Sequence, residues 1–526
     1  MSDAFPPIPP PRPFGDGWSG APPLPPDPPA VARYRRALDL GAVYEFALTP
    51  LDVTGIPVWT AATWLDGHFQ SGIGYGETDD RARVGAWGEL AEGVSVARLA
   101  EGDETRETRR ASYAELTSAG EAVVDPLALR LPVGTEYTSE MERLWVRATR
   151  FAPGTGADGT QVWILLEEAA AHYGDLPEGY RPLYPPITNG LGAGDSRARA
   201  LSHGMLELVQ RDASSVGYRA FDRGVVIDLD GVTDPDTRAW IDRVQGEGGI
   251  TLQAKLAETP LGIPVVYVQG RDRDLGAMPH PLVLTGAGEG AHPDRERALK
   301  KALLEYGASR VRKRFAHGPL ADLEGHVPAA YLDAVRQQGV APEEDRSTAA
   351  VAEWASLDPE AQLRRLTGTW FRESQRVPFG SLPTANVPDD PASLAAHVAS
   401  RYADAGLEVF YVPLSPPGSE VTVLKTIVPG MEVETVTYHR IGPRNLRRLL
   451  DRASAGDSLV HPDLVGIGRP PAEAQSVPLA PEGEAALGGP AWIHLDLLAE
   501  ALGGLYAMYR EPAEHVVGLR AESARA

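Results

Sequence analysis

The chain has no cysteine among its 526 residues. Disulfides, thiolate-bound zinc, iron–sulfur clusters and a cysteine nucleophile are therefore excluded from its own chemistry. Long apolar runs are missing too, and nothing approaches the roughly 18 residues a membrane-spanning helix requires. No basic stretch leads into an apolar one at the N-terminus, as a secretory signal would, so the sequence reads as a soluble, cytoplasmic protein. Positive charge is scarce: 50 Lys plus Arg against 72 Asp plus Glu give a formal charge of −22. Nucleic-acid binding and docking on an anionic membrane both start from a basic face, so neither is expected. The GxxxxGK(S/T) phosphate loop, the dinucleotide GxGxxG unit and HExxH are absent, and residue order supports no Ser-His-Asp arrangement. What remains is ordinary globular composition, 43% hydrophobic and 23% charged, which can bury a large core.

Residues 1–30 hold twelve prolines. Proline fixes φ and removes backbone donors, so this stretch reads as a disordered or polyproline-like tail ahead of a domain over 31–526. From about 40 to 315, strand-like runs alternate with amphipathic stretches. Ile56–Trp59, Gln161–Leu166, Ile263–Val268, Leu407–Val412 and Val421–Val428 predict strands. Residues 319–370, rich in Ala, Leu, Arg and Glu, predict a helical insertion. A Pro/Gly/Ala-rich loop is expected over 468–490 and a last helix over Trp492–Tyr509. The mixture predicts an α/β or α+β enzyme-sized domain.

One unit recurs three times. A glycine-rich loop, Gly72–Gly76, Asn189–Gly194 or Gly286–Gly290, precedes a helix carrying an Ala and a Glu seven residues apart: Ala82 and Glu89, Ala200 and Glu207, Ala298 and Glu305. Seven residues is nearly two turns, so each pair shares a helix face. Thr78, Asp195 or Ser196, and Pro293 supply start signals. Glu92, Gln210 and Ala308 follow three residues beyond each glutamate. Trp87 and Leu90 flank Glu89, while Met205, Leu206 and Val209 flank Glu207. Carboxylates beside an apolar stripe are costly unless paired or metal-bound, and Mg²⁺ takes such hard oxygen ligands while keeping phosphates and waters. Backbone N–H groups of a glycine loop ahead of a helix suit an anion. The constellation predicts a Mg²⁺–nucleotide site built from three loop–helix units.

At these residues the sequence resembles the YcaO family. Thr188–Gly194 through Glu207-Leu208-Val209-Gln210-Arg211-Asp212 is similar to its (S/T)NGxAAG…ExxERD block. Gly288–His292 through Glu305 to Arg310 is similar to GxGAH…ALxExxQxR, and the first unit to GxG…SAxxExxE. Val428-Pro429-Gly430 with Gly442-Pro443-Arg444 resembles the family's C-terminal VPG segment. The resemblance implies an α+β fold of mixed sheets flanked by helices, with ATP and Mg²⁺ as cofactors. It implies activation of a peptide backbone amide by phosphorylation: azoline-forming cyclodehydration of a ribosomally made precursor peptide, with thioamide formation or a scaffold role of weak ATP turnover as alternatives. Carried over by position, Glu89, Glu92, Glu207 and Gln210 match metal-site positions. Asn189, Glu207, Arg211, Glu305 and Arg310 match nucleotide-site positions; no residue is assigned to act on the substrate itself. Gly85, Gln210, Ala308 and Ile73 depart from the family's serine, glutamate, glutamine and lysine, and the proline-rich C-terminus is missing. Segment 31–71 is too short for a peptide-binding winged helix with a ubiquitin-activating-like domain, so a separate peptide-presenting partner is expected; a homodimer is also admitted. In the basic run at the end of the third helix, Arg312, Lys313 and Arg314 read as complementing the helix dipole. His203 and His292 read as structural or polar lining, and Asp212 as a pairing residue.

Overall fold

The computed structural model describes residues 24–98, 107–216, 219–340, 345–433, 439–508 and 511–524. Residues 1–23 of the expected tail lie outside them. The end of that tail is anchored: Arg83 donates to the Pro26 carbonyl at 2.9 Å and pairs with Asp27 at 2.6 Å. Helix α1 (Pro29–Leu38) already begins there.

The first sheet runs β1 (Tyr44–Ala47), β2 (Val58–Leu65), β3 (His68–Tyr75), all antiparallel, and leads into α2 (Asp79–Ala97). Next come β4 (Thr108–Ser112), α3 (Tyr113–Ser118), β5 (Glu142–Phe151), β6 (Gln161–Leu165), β7 (Leu191–Gly194) and α4 (Arg197–Ser214). A third group follows: β8 (Val225–Asp228), α5 (Pro235–Gly246), β9 (Ile250–Leu256), β10 (Val265–Asp272), β11 (Ala287–Ala291) and α6 (Arg295–His317). The expected helical region contains α7 (Ala329–Gln338), α8 (Asp345–Ser356) and α9 (Pro359–Thr367). After β12 (Gln375–Pro378) and α10 (Pro391–Asp404), β13 (Val409–Pro413) and β14 (Thr422–Ile427) return to complete the second sheet, and α11 (Pro443–Ser454) follows. The second sheet is ordered β4-β5-β13-β14-β7 with β6 against β5; the third is β11-β10-β9-β8-β12, where β12 joins β8 in parallel.

In each of these three sheets the glycine-rich segment is an edge strand, β3, β7 or β11, and the next helix folds back onto it. The expected loops are therefore strands, and their glycines serve packing. A Cβ on Gly74 would lie 2.0 Å from the Ala86 nitrogen; on Gly192, 2.2 Å from the Ala200 carbonyl; on Gly288, 2.1 Å from the Ala302 carbonyl. Glycine on the strand and alanine on the helix let two backbones approach to near contact. Thr78 and Ser196 cap α2 and α4 by accepting from the Arg81 and Arg199 N–H groups. The cap of α6 is Asp294 rather than Pro293, since its carboxylate can accept from the Glu296 N–H at 2.9 Å.

Other boundaries shift for physical reasons. Pro57 and Pro264 lack a ladder donor, and β2 and β10 start just after them. Trp492 lies in a short strand, β17 (Ala491–Ile493), which pairs with β15 (Val465–Ile467) and β16 (Gln475–Ser476). The expected loop over 468–490 thus contains β16 and α12 (Pro481–Leu487). The last long helix is replaced by α13 (Leu495–Leu502), halted at Gly503 with φ of 42°, and by α14 (Val516–Ser523); Tyr509 lies outside the described residues. Trp87, Trp145 and Trp163 are fully buried in the core beside α2. Among the described residues no helix is long and apolar enough to cross a membrane.

Candidate functional site

Glu89, Glu207 and Glu305 sit at matching positions on α2, α4 and α6, and a short contact aims each of them. Glu89 accepts from the Ile73 N–H at 2.9 Å and Glu207 from the Gly190 N–H at 2.8 Å. Glu305 accepts from the Tyr75 hydroxyl at 2.7 Å, which ties the third unit to the first. Glu92, one turn beyond Glu89, is held by the backbone N–H of Ala193 on β7. The four carboxylates share one region. Repulsion from Glu305 and Glu207 reaches Glu89, and repulsion from Glu89 and Glu207 reaches Glu92.

That crowding leaves a signature in proton affinity. Desolvation pushes the Glu89 carboxyl up to about 7, with its acidic neighbours adding and the Ile73 N–H and Arg312 opposing. Glu89 itself is exposed on α2. Desolvation and then Glu89 and Glu207 hold Glu92 well above the usual carboxylate range, and desolvation raises Glu305 against the pull of Lys301. Like charges crowded together and held above their usual proton affinity are what a cation would relieve.

Cationic and amide groups frame the acids. Arg211 stands 3.6 Å from both Glu207 and Glu289. Gln210 is buried, takes a hydrogen bond from Lys301 at 3.3 Å and offers its amide to Glu289 at 3.5 Å. Asn189 is buried next to the Gly190 N–H that holds Glu207. His203 is exposed; His292, kept neutral by burial with its pKa lowered to about 4, accepts from the Asp294 N–H. Asp212 is bound by both Arg444 nitrogens at 2.5 Å, the pairing role expected of it.

Arg310 is placed elsewhere. It is fully buried in a separate cluster, 2.8 Å from Asp272 and 3.0 Å from Asp52. Five residues past Glu305 it falls on nearly the opposite side of α6, whereas Arg312, seven past, returns to the side of the glutamates. Arg312 feels Glu89 and Glu305 and pairs with Glu511 at 2.6 Å. The basic run thus reverses its expected roles. Replacing Arg310 with Leu strands two buried carboxylates, and the expected cost is about 3–5 kcal/mol. Urea unfolding measures it; a cost under 1 kcal/mol on the same scale would show the cluster to be dispensable.

Several lining residues escaped sequence reasoning. Glu289 could have been found, since it stands between the two glycines of β11 at the heart of the third unit. Arg312 had a signal too, its heptad spacing from Glu305. Glu511 and Glu514 had none, because only tertiary folding brings this late segment against α6. Glu511 pairs with Arg312 and with Lys313 at 2.5 Å, and burial raises the Glu514 carboxyl to about 7.

Among the described residues, no three His, Cys, Asp or Glu side chains stand close enough to hold a metal ion alone. Mg²⁺ bound to a nucleotide needs only one or two carboxylates, with phosphate oxygens and water completing its shell. The donor set fits a metal–nucleotide pair: crowded carboxylates for the cation, with Arg211 and Arg312 beside them for the anion. A pH dependence follows. Glu89 titrates near 7 in the folded chain against about 4.5 unfolded, so its contribution to stability is fullest below about 4.5 and is lost as pH rises through about 7. The metal-free protein should therefore lose thermal stability across that interval, and added Mg²⁺ should raise the melting temperature more at about pH 8 than at about pH 6. Equal Mg²⁺ effects at both values would contradict the assignment.

Three glycine-strand and helix units that bring their carboxylates into one region, with Arg211 and Arg312 beside them, define a protein that brings a divalent cation together with an anionic ligand. The chain belongs to the YcaO family: residues 73–432 match the family model described as YcaO cyclodehydratase, ATP- and Mg²⁺-binding. ATP and Mg²⁺ are accordingly its cofactors. An uncharacterized protein of Methanothermobacter thermautotrophicus is 29% identical over 410 residues, covering 77% of this chain and 93% of that one. An uncharacterized protein from the tfuA 3′ region of Rhizobium leguminosarum bv. trifolii is 25% identical over 432 residues, covering 77% and 87%. The structure of YcaO from Methanopyrus kandleri bound with AMPPCP and Mg²⁺ shares the fold, with a TM-score of 0.53 at 23% identity over 78% of this chain and 93% of that one.

Proposed function

We propose that the chain activates backbone amides of a ribosomally made peptide, forming azolines by cyclodehydration together with a separate protein that presents the precursor. The observation carrying this reading is the convergence of Glu89, Glu92 and Glu207 from two helices, with Arg211 and Arg312 turned toward the same acids. Glu89, Glu92, Glu207 and the Gln210 carbonyl would supply the Mg²⁺ ligands, no more than one or two carboxylates to an ion, with phosphate oxygens and water completing its shell; Asn189, Arg211, Arg312 and Glu305 would position the nucleotide. When bound, ATP supplies the phosphoryl group that turns an amide oxygen into a leaving group, and Mg²⁺ supplies the charge its phosphates require.

The protein's own share is positioning and electrostatics. The backbone N–H groups of Ile73 on β3 and of Gly190 just before β7 fix two carboxylates before any ligand arrives, so little reorganisation is needed on binding. Arg211, already between Glu207 and Glu289, can turn toward phosphate without leaving a carboxylate bare. Gln210 removes one negative charge from the metal face, and Lys301 is anchored on its carbonyl. The substrate peptide brings the attacking Cys, Ser or Thr, in keeping with a chain that contains no cysteine.

Incubated with Mg-ATP, the precursor and its presenting partner, the chain should yield a product lighter by one water per ring, with one phosphate released for each. A product with sulfur in place of oxygen would move the reading to thioamide formation. Complex formation with neither mass change nor phosphate release would move it to a scaffold.

A further inference from the structure

Lys425 is a buried cation close to the acids of the site. It stands on β14 and is 1% exposed. Side chains alternate across that strand: Leu424 joins the core under α4, while Val423 and Ile427 join the core beside α2, and Lys425 shares their face. Its ammonium donates to the Ile187 carbonyl and, at 3.4 Å, to the Ala170 carbonyl. Among the described residues its polar partners are these two neutral carbonyls, not a carboxylate. Burying an ammonium on such terms is costly, and an aliphatic side chain would fill the place without the cost. Desolvation pulls its proton affinity down to about 8, while Glu168 and then Glu207 pull it up. Glu168 is itself taken by Arg440 at 2.8 Å. In return Lys425 favours the charged form of Glu92.

What the ammonium holds is the turn that enters β7. The Leu191 N–H closes this turn on the Thr188 carbonyl at 3.1 Å, and the Thr426 N–H, next to Lys425, holds the Gly190 carbonyl at 2.7 Å. Gly190 is left-handed, with φ of 86°, and its own N–H is the one that aims Glu207. A Cβ there would stand 2.2 Å from the Thr426 carbonyl, so the turn lies directly on β14. We propose that Lys425 is a positioning residue of the ATP site: by pinning the Ile187 carbonyl it fixes the Asn189–Gly190 turn, and through that turn the direction of Glu207. The inference rests on the reading of Glu207 and Asn189 as site residues. β14 grips the turn at two points three residues apart, by its backbone at Gly190 and by the Lys425 side chain at Ile187. The backbone bond alone would let the turn pivot about Gly190, and the second anchor removes that freedom. Lys425 is too buried to touch a ligand, so its whole effect passes through the turn.

The test is Lys425→Met on the full chain, an unbranched apolar side chain in place of the ammonium, read in three ways beside wild type. Mg-ATP affinity by calorimetry should fall about tenfold, the scale on which supports of ligating residues act. Hydrogen exchange followed by mass spectrometry should quicken about tenfold or more in the peptide spanning 187–191, while peptides from the middle of α4 and α6 exchange as in wild type. The ligand-free melting temperature should stay within about 5 °C, since an apolar side chain replaces a charge that is costly to bury. Unchanged affinity or unchanged exchange over 187–191 would overturn the proposal. So would a larger fall in melting temperature with faster exchange throughout α4 and α6, which would show a lysine that merely holds the fold. Glu207→Gln, measured alongside, separates the two readings. If it too leaves Mg-ATP affinity unchanged, the reading of the site has failed; if it alone loses affinity, only the role of Lys425 falls.

Discussion

Glu207→Gln is expected to weaken Mg-ATP binding by about a hundredfold, on the order of 2–3 kcal/mol, while leaving the fold intact. The substitution keeps shape and removes one charge. Glu207 is the acid whose neighbours reach furthest: it accepts from the Gly190 N–H, lies 3.6 Å from Arg211, and raises both Glu89 and Glu92 by repulsion. Its loss takes a cation ligand away and also frees Arg211 from one partner. Because it relieves repulsion among crowded acids, the metal-free variant should melt no lower than wild type. Calorimetry with Mg-ATP and a thermal melt together decide the matter. Undiminished affinity would place the nucleotide elsewhere; lost affinity with a collapsed melting temperature would mean that a structural role had been mistaken for a binding one.

Gly288→Ala should cost about 3 kcal/mol or more in stability and also lower Mg-ATP affinity. The new methyl would stand 2.1 Å from the Ala302 carbonyl and 2.2 Å from the Tyr306 nitrogen, both backbone atoms of α6, so no side chain can turn aside. The helix must lift from β11 and carry Glu305 away from Tyr75. Gly246→Ala, at the end of α5 with nothing within 4 Å of the new atom, is the matched control and should be neutral or slightly stabilising. Equal urea midpoints for the two variants would refute the close-packing account of the glycine strands.

Much of the site was legible because it is periodic. The seven-residue Ala–Glu spacing lies within one helix, where a fixed rise and twist translate sequence distance directly into direction. That is why Glu89, Glu207 and Glu305 could be named as a set. The glycines were legible as positions but misleading as structure. Glycine-rich text reads as loop, and only the helix lying 2 Å from each missing Cβ explains why these segments are strands. Arg310 and Arg312 show the same boundary. Both belong to one basic run; helix spacing puts Arg312 on the side of Glu305, but what holds Arg310 in the core, Asp52 and Asp272, lies more than thirty residues away in the chain. The last helix failed on a shorter range, since Gly503 in a left-handed conformation ends it.

Composition and local pattern alone settled that this chain has no thiol chemistry, that its helices carry three aligned acids, and that it resembles one family in four ordered blocks. Tertiary structure decided which sheet edges bring those helices together, which carboxylates lock Arg310 in the core, and that Glu289, Glu511 and Glu514 stand near the same acids. The division is physical. Direction within a helix is set by backbone geometry shared by every sequence, whereas the choice of partner for a buried charge depends on which distant carboxylates the packed sheets deliver.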